Sequence, residues 1–503
     1  MRWKGWWAIP VGATAIAVAC SGLVDPPPVI SATTHDSSND EPPPTDDGTK
    51  PIPDWPPKPI DLKTQSGWQL FGPQHGGPAE VFGVSADRGG NIWVAGGYHG
   101  LFLLTPGATE FQRFTVADGL RDCSDGTSPN GCAVISVAGG PENTVFVGYR
   151  GVFGTKDERD PSWMLKSGDA DKVVWKGGGV IEIAARYDIS SAPGYYKDPW
   201  DQDLRREKVR SVLRILYDAK TENIWFGGNH GVSMYEASSN QIFEHQHAGV
   251  NGYVGTNYWL LTGDWFGIAL DPKGDLWMGG GNRVGRLQYG TGTDRWWSPL
   301  SPIYDVWPDA VAVDAQQNER TDDLVNDLIA DPGGSVWVGS LNGLARVFLP
   351  TPAPPPSADG GTGNPDAGTG NPDAGTRADA GTAPVPSGPW HGCWMYFNEY
   401  RPQDRQPGNC SYVRAPQRID MKVTALERDP ADGSIWVGHL WGGITRIKNG
   451  GFINYGAAGT TFQGFGGTVI EHPILDIQSD TFRGQRRILV AFKGGAVGIY
   501  TGP

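Results

Sequence analysis

Polar and aromatic residues recur at one kind of place in this sequence, the short glycine-containing turns that follow an apolar run with a central aromatic. Tyr98, His99, Tyr149, Arg150, Asn229, His230, Asn282, Arg283, Asn342, Trp441 and Lys493 all occupy such turns. Gathered at one mouth, groups of this type hold a sugar or a peptide by stacking and hydrogen bonding. Turn chemistry alone also places Asn and His there, because both tolerate left-handed backbone, and that reading stays open for each residue taken singly. The longest connections, 115–132, 244–264 and 298–322, add His245-Gln246-His247, Tyr258-Trp259 and, nearby, Trp296-Trp297. The His-x-His pair lacks a carboxylate or a third His at ligand spacing, so no metal site is assigned. No nucleophile elbow, catalytic carboxylate pair, phosphate-binding glycine loop or HExxH helix occurs. Accordingly no catalytic residue and no cofactor is assigned.

Cysteines carry the remaining side-chain chemistry. Cys123 with Cys132 and Cys393 with Cys410 form two close pairs. Four cysteines allow three connectivities, and local pairing is favoured because each pair shares one excursion between strands. In an oxidising compartment, loops of this span gain roughly 3 kcal/mol from a crosslink. The fifth, Cys20, ends a different motif. Arg2 and Lys4 precede an apolar stretch, Trp6 to Val18, that is too short to span a bilayer. It closes with Ala17-Val18-Ala19-Cys20, which resembles the bacterial lipobox, in which the Cys becomes the first residue and is diacylated on sulfur. Ordinary cleavage after Ala19, with Cys20 left as a thiol, is the alternative. Acyl chains at about 0.8 kcal/mol per buried CH₂ make such an anchor effectively permanent. Ser21 does not resemble an inner-membrane retention signal, which makes the outer membrane the default, on its periplasmic or surface side.

The elements that position these residues follow from an internal repeat. An apolar run with a central aromatic or leucine appears seven times, centred on Trp93, Phe146, Trp225, Trp277, Trp337, Trp436 and Leu489. Before most of these runs comes an apolar alternation ending in Asp: Val84 to Asp87, Ile215 to Asp218, Ile268 to Asp271, Leu328 to Asp331, Leu426 to Asp429 and Ile477 to Asp480. An Asp that bonds its own backbone two residues on, followed by Gly, predicts a tight hairpin turn. After the runs come further strands, such as Leu101-Phe102-Leu103-Leu104 and Phe111-Gln112-Arg113-Phe114. Four short strands per unit, seven times, predict an all-β chain folded as a seven-bladed β-propeller of four-stranded antiparallel blades. The last unit has only three strands of its own, so the lone strand Gly67 to Phe71 is expected to complete it and close the ring. The repeated Trp is expected to pack between blades.

Two low-complexity tracts frame the domain organisation. Residues 1–19 read as a lipoprotein signal peptide, and 20–66 as the lipidated Cys and a disordered, proline-rich tether. The propeller takes 67–503, with a disordered insertion at about 351–388 that contains Gly-Thr-Gly-Asn-Pro-Asp-Ala twice, at 361–367 and 368–374. The formal charge is −14, and removing Arg2 and Lys4 with the signal makes it −16. That balance excludes nucleic acid as a partner and electrostatic attraction to anionic membranes.

The spacing Val325, Leu328, Asp331, Gly334, then Val336-Trp337-Val338-Gly339, resembles the two-component-regulator propeller repeat, and Asp429, Gly433, Trp436, Gly438 and Gly442-Gly443 follow the same pattern. In that family the propeller is the periplasmic sensing part of a histidine-kinase receptor, so the resemblance implies fold first and a sensing role second. One unit, Asp271-Pro272-Lys273-Gly274-Asp275-Leu276-Trp277 with Asn282-Arg283-Val284-Gly285-Arg286, is similar to the repeat of virginiamycin B lyase-type propellers, which are metal-dependent lyases; no residue is carried over from it. The functional expectation is a monomeric, membrane-anchored binding module whose loop-rich face meets a glycan or protein. An accessory sensor for a separate kinase and a propeller-type lyase or hydrolase are the alternatives.

Overall fold

The computed structural model describes residues 54–62, 66–122, 132–153, 164–166, 169–189, 211–228, 231–246, 267–272, 274–280, 283–288, 298–299, 304–305, 325–332, 335–340, 343–348, 393–398, 410–412, 422–440, 443–449, 451–455 and 473–502. The signal peptide with Cys20, most of the tether and the 351–388 insertion therefore lie outside the described residues.

Runs of β-branched and aromatic residues between Asp and Gly turns favour short strands, and short strands form here almost throughout. In chain order β1 (Trp68–Phe71) comes first. The next sheet holds β2 (Gly83–Ala86), β3 (Ile92–Ala95), β4 (Leu101–Leu104) and β5 (Gln112–Phe114). Then β6 (Val134–Gly139) and β7 (Thr144–Tyr149) pair, the ribbon of β8 (Val152–Phe153) and β9 (Met164–Lys166) intervenes, and β10 (Ala170–Gly177) and β11 (Val180–Tyr187) complete that sheet. A further sheet runs β12 (Val212–Tyr217), β13 (Ile224–Gly228), β14 (Gly231–Glu236), β15 (Gln241–Gln246). It is followed by β16 (Gly267–Leu270), β17 (Leu276–Gly280), β18 (Arg283–Gln288) and β19 (Ser298–Pro299), with β20 (Tyr304–Asp305) on β18. Next come β21 (Val325–Asp331), β22 (Ser335–Ser340), β23 (Gly343–Phe348), β24 (Cys393–Asn398) and β25 (Cys410–Tyr412), the last two parallel. The chain ends with β26 (Val423–Arg428), β27 (Ile435–His439), β28 (Ile444–Lys448) and β29 (Gly451–Tyr455), then β30 (Ile474–Phe482), β31 (Gln485–Phe492) and β32 (Ala496–Tyr500). β1 joins β32 in antiparallel register, with Trp68 opposite Tyr500.

First strands of successive sheets touch in the order β2, β6, β12, β16, β21, β26, β30 and back to β2. The fold is an all-β propeller.

Its core is a series of seams between neighbouring sheets. One seam joins Val84 and Phe102 to Leu489, Val497 and Ile499, and another joins Trp436 and Ile444 to Ile488 and Tyr500. The repeated aromatics fill these seams as expected: Trp93, Trp277 and Trp436 are fully buried. Trp436 stacks on Tyr455 at 5.6 Å and meets Tyr500, across the seam, at 5.1 Å.

The Asp turns form where the sequence puts them in β2–β3, β12–β13, β16–β17 and β26–β27. Asp87 shows the chemistry in full. Its Oδ1 accepts from the Gly89 and Asn91 backbone N–H groups at 2.8 and 3.1 Å, and its Oδ2 accepts from Asn91 Nδ2 and Trp93 Nε1 at 2.9 and 3.0 Å. Burial raises its pKa, although these four donors oppose the rise. Asp87→Ala leaves the Trp93 indole N–H without its acceptor and the Asn91 amide with only Asn143 Oδ1, and should lower stability by about 1–3 kcal/mol in denaturant titration. Asp87→Asn, which keeps a carbonyl acceptor, should lose less. Asp480 departs from the expectation. The β30–β31 hairpin continues to Phe482 opposite Gln485, and the turn falls on Arg483 and Gly484, both at positive φ (50° and 78°). Positive φ at both central residues suits a two-residue hairpin, so Asp480 is freed to pair across the strands with Arg487.

Candidate functional site: the inner channel and the turn-bearing face

The innermost strand of each sheet has an edge of unpaired backbone groups that must find partners. Five of these strands carry a register shift at one place: Val134/Ser136, Val212/Arg214, Val325/Asp327, Val423/Ala425 and Ile474/Asp476. A bulge of this kind re-aims the side chain beside it. Each post-bulge residue sits four positions before its unit's aspartate or the equivalent residue, and Gly83 and Gly267 hold the same position in the sheets without a shift. Three of these side chains, Asp476, Asp327 and Ser136, cap the edge of the next sheet. Asp476 Oδ2 accepts from Val84 N–H at 3.0 Å, and Asp327 Oδ2 accepts from Leu426 N–H at 2.8 Å. Ser136 Oγ donates to Val212 O at 2.7 Å, and Asn326 Nδ2 to Val423 O at 2.7 Å.

Arg214 reaches both carboxylates. Its Nη1 lies 3.0 Å from Asp476 Oδ1 and its Nη2 contacts Asp327 Oδ2, so one guanidinium on β12 ties β21 to β30 across the ring. Burial works against the Arg214 charge, but Asp327 and Asp476 together raise its pKa. Burial raises Asp327, and Arg214 offsets only part of that. Beside them Glu427 accepts a hydrogen bond from Ser479 Oγ. Burial, reinforced by Asp327 and Asp476, pushes Glu427 up to about 8, so it is uncharged at neutral pH. At the far end of β27, burial lowers His439 to about 4; its Nε2 lies 2.9 Å from Thr445 Oγ1. Among the described residues the ion pairs of Arg214 with Asp327 and Asp476 thus cross the channel. Among the described residues no group of three or more His, Cys, Asp or Glu is arranged to hold a metal ion.

The second region is the face where second-to-third-strand turns meet the links between sheets. Equivalent turn residues dock their backbone on the link that enters the same sheet: Arg150 N–H on Ala133 O (2.9 Å), Leu440 N–H on Lys422 O (3.0 Å) and Lys493 N–H on Pro473 O (3.0 Å). Each of these turns is thus tied to its neighbouring link by a backbone hydrogen bond. Gly100 closes the β3–β4 turn at φ 99°, where a Cβ would lie 2.2 Å from Phe114 O.

The sequence-derived candidates divide on this face. Tyr98 and Arg150 are half-buried there. His99 is buried at 2% exposure; its Nδ1 accepts from Ala79 N–H at 3.2 Å and its carbonyl from Arg113 Nε at 2.7 Å, which fixes it in the turn. Lys493 is buried at 6%. Arg283 lies on β18. Asn229, His230, Asn282 and Trp441 fall outside the described residues, as do Cys20 and Cys123. Near the face lies a further cluster that no sequence motif signals, buried at Tyr149 and Asp171 and exposed at Asp188. Tyr149 Oη donates to Asp171 Oδ2 at 3.0 Å, and Arg121 bonds Asp171 at 2.8 Å and Asp188 at 3.0 Å.

No protein-family model matches this chain, and no curated protein matches it. Solved structures that align with it are propellers at low identity. A catalytically inactive virginiamycin B lyase from Staphylococcus aureus with quinupristin aligns at 11% identity and TM-score 0.45, over 87% of this chain and 99% of that one. YCF48 bound to D1 peptide aligns at 10% and 0.43, over 88% and 100%. PorZ, a surface component of the type-IX secretion system of Porphyromonas gingivalis, aligns at 16% and 0.46, over 84% of this chain but 46% of its own length. At such identities no site residue is carried over.

Proposed function

We propose that this chain is an extracytoplasmic binding module, held to the outer membrane through lipidated Cys20, that recognises a glycan or protein with its turn-bearing face. In this reading it is a monomeric ring of seven blades, closed by β1. The sheet order and the pairing of Trp68 with Tyr500 support the count and the closure. Disulfides Cys123–Cys132 and Cys393–Cys410 belong to the same reading; Cys132 is disulfide-bonded, and Cys393 stands opposite Cys410 in register.

The observation that carries the proposal is the contrast between the two regions. Among the described residues, the channel charges of Arg214, Asp327 and Asp476 pair with one another, whereas the turns are tied by backbone hydrogen bonds and Tyr98 and Arg150 stay partly exposed. A rigid scaffold presenting polar and aromatic groups on its turns is what a binding face requires. Glycan-array and pull-down screening of the full chain should yield a ligand whose affinity falls at least tenfold in a variant combining Arg150→Ala, His230→Ala, Arg283→Ala and Trp441→Ala. Unchanged affinity in that variant would move the site off this face. EDTA-sensitive turnover of a polysaccharide or lactone would point instead to a lyase or hydrolase.

A further inference from the structure

Residues 54–62 belong by composition to the proline-rich tether, yet they lie against the propeller. Gln74 donates from Nε2 to Ile60 O at 3.0 Å, and Ile60 and Leu62 pack beside the Trp68 seam. At the head of this segment Trp55 rests in a notch on the turn-bearing face. The Arg113 guanidinium lies 3.9 Å over its ring, the His99 ring meets it nearly edge-on at 5.3 Å, and the Phe102 ring lies at 5.7 Å.

The walls of the notch are also held by partners other than Trp55. Arg113 is aimed by its Nε bond to His99 O, His99 is held by Ala79 N–H, and Phe102 is fully buried in the adjoining seam. Trp55 itself stays 40% exposed, so it is a guest on this surface and not part of the core. A guanidinium over an indole face, with aromatic walls, is a cation–π receptor. The prolines that follow, Pro56 and Pro57, each have a fixed φ, which limits the entropy lost on docking.

We propose that the His99–Phe102–Arg113 notch is a recognition slot for a tryptophan in a proline-rich peptide, filled in the resting protein by its own Trp55. The slot is vacated when the tether is drawn away and then accepts an equivalent segment in trans. This goes beyond the function proposed above, since it depends neither on the lipid anchor nor on the ligand of the wider face.

The test uses the full chain and the synthetic peptide Asp-Trp-Pro-Pro-Lys, the sequence of residues 54–58, at up to millimolar concentration with ligand-observed NMR. Trp55→Ala protein should bind it at least tenfold more tightly than the unaltered chain does. The same peptide with its tryptophan replaced by alanine should not bind, and adding Arg113→Met to Trp55→Ala should cost at least tenfold. Trp55→Leu repeats the measurement with an apolar side chain retained, and thermal melts check that each variant is folded. Equal binding to altered and unaltered chains, no binding to either Trp55 variant, or binding indifferent to Arg113 would each overturn the proposal. Because no glycan or membrane is present, failure here leaves the wider binding reading standing.

Discussion

Replacing Arg214 with methionine is expected to lower the stability of the propeller by about 3–5 kcal/mol, the range found when one partner of a buried ion pair is removed. Asp327 and Asp476 have side-chain exposures of only 3% and 5%, and each already accepts a backbone N–H from the next sheet. Without the guanidinium, two carboxylates share a low-dielectric channel in which each raises the cost of charge on the other. The measurement is the midpoint of urea unfolding at neutral pH. A triple variant, Arg214→Met with Asp327→Asn and Asp476→Asn, should recover most of the loss, because amides keep hydrogen-bonding capacity without charge. A midpoint unmoved by Arg214→Met would mean that water, and not the guanidinium, neutralises the pair.

Glu427 should make the protein less stable as pH rises from about 4.5 to about 8. The folded-state pKa is raised to about 8 from an ordinary value of 4.5. Between those values the unfolded chain has lost this proton and the folded chain keeps it, so the folded state binds more protons and stability falls with increasing pH. The slope from this one group reaches at most about 1.4 kcal/mol per pH unit. Glu427→Gln keeps the shape and the Ser479 contact while removing the proton, and should flatten the profile and raise stability most at pH 8. His439 contributes the opposite sign at lower pH. Its pKa is depressed to about 4, so its contribution is present above about 6.5 and is lost as pH falls toward 4. A Glu427→Gln profile parallel to that of the unaltered chain would show that the group titrates normally.

The propeller's local grammar was legible because it is local. Asp87 bonds donors within six residues of itself, and the alternation that buries Val84 and Val94 depends only on strand period. Asp480 shows the limit of that grammar. Its neighbours match the other units, but two residues at positive φ further along, Arg483 and Gly484, form the turn instead.

The channel was not read, although a sign of it is present: Arg214, Asp327 and Asp476 each interrupt an apolar strand at the same repeat position. In one repeat a charge in an apolar strand reads as noise. Which charges meet depends on the ring, which brings residues 214 and 476 within 3.0 Å. His99 and Trp55 show a similar limit. A turn histidine looks available and a proline-rich tryptophan looks disordered until packing buries the first and seats the second on it.

The sequence by itself therefore determined the repeated strands, most of their turns and the aromatic seams, all of which rest on contacts close along the chain or repeated from unit to unit. The tertiary structure decided which polar groups are consumed by the fold and which remain on the turn-bearing face. That division depends on electrostatics across the channel and on burial at the seams, and both exist only once the sheets have come together.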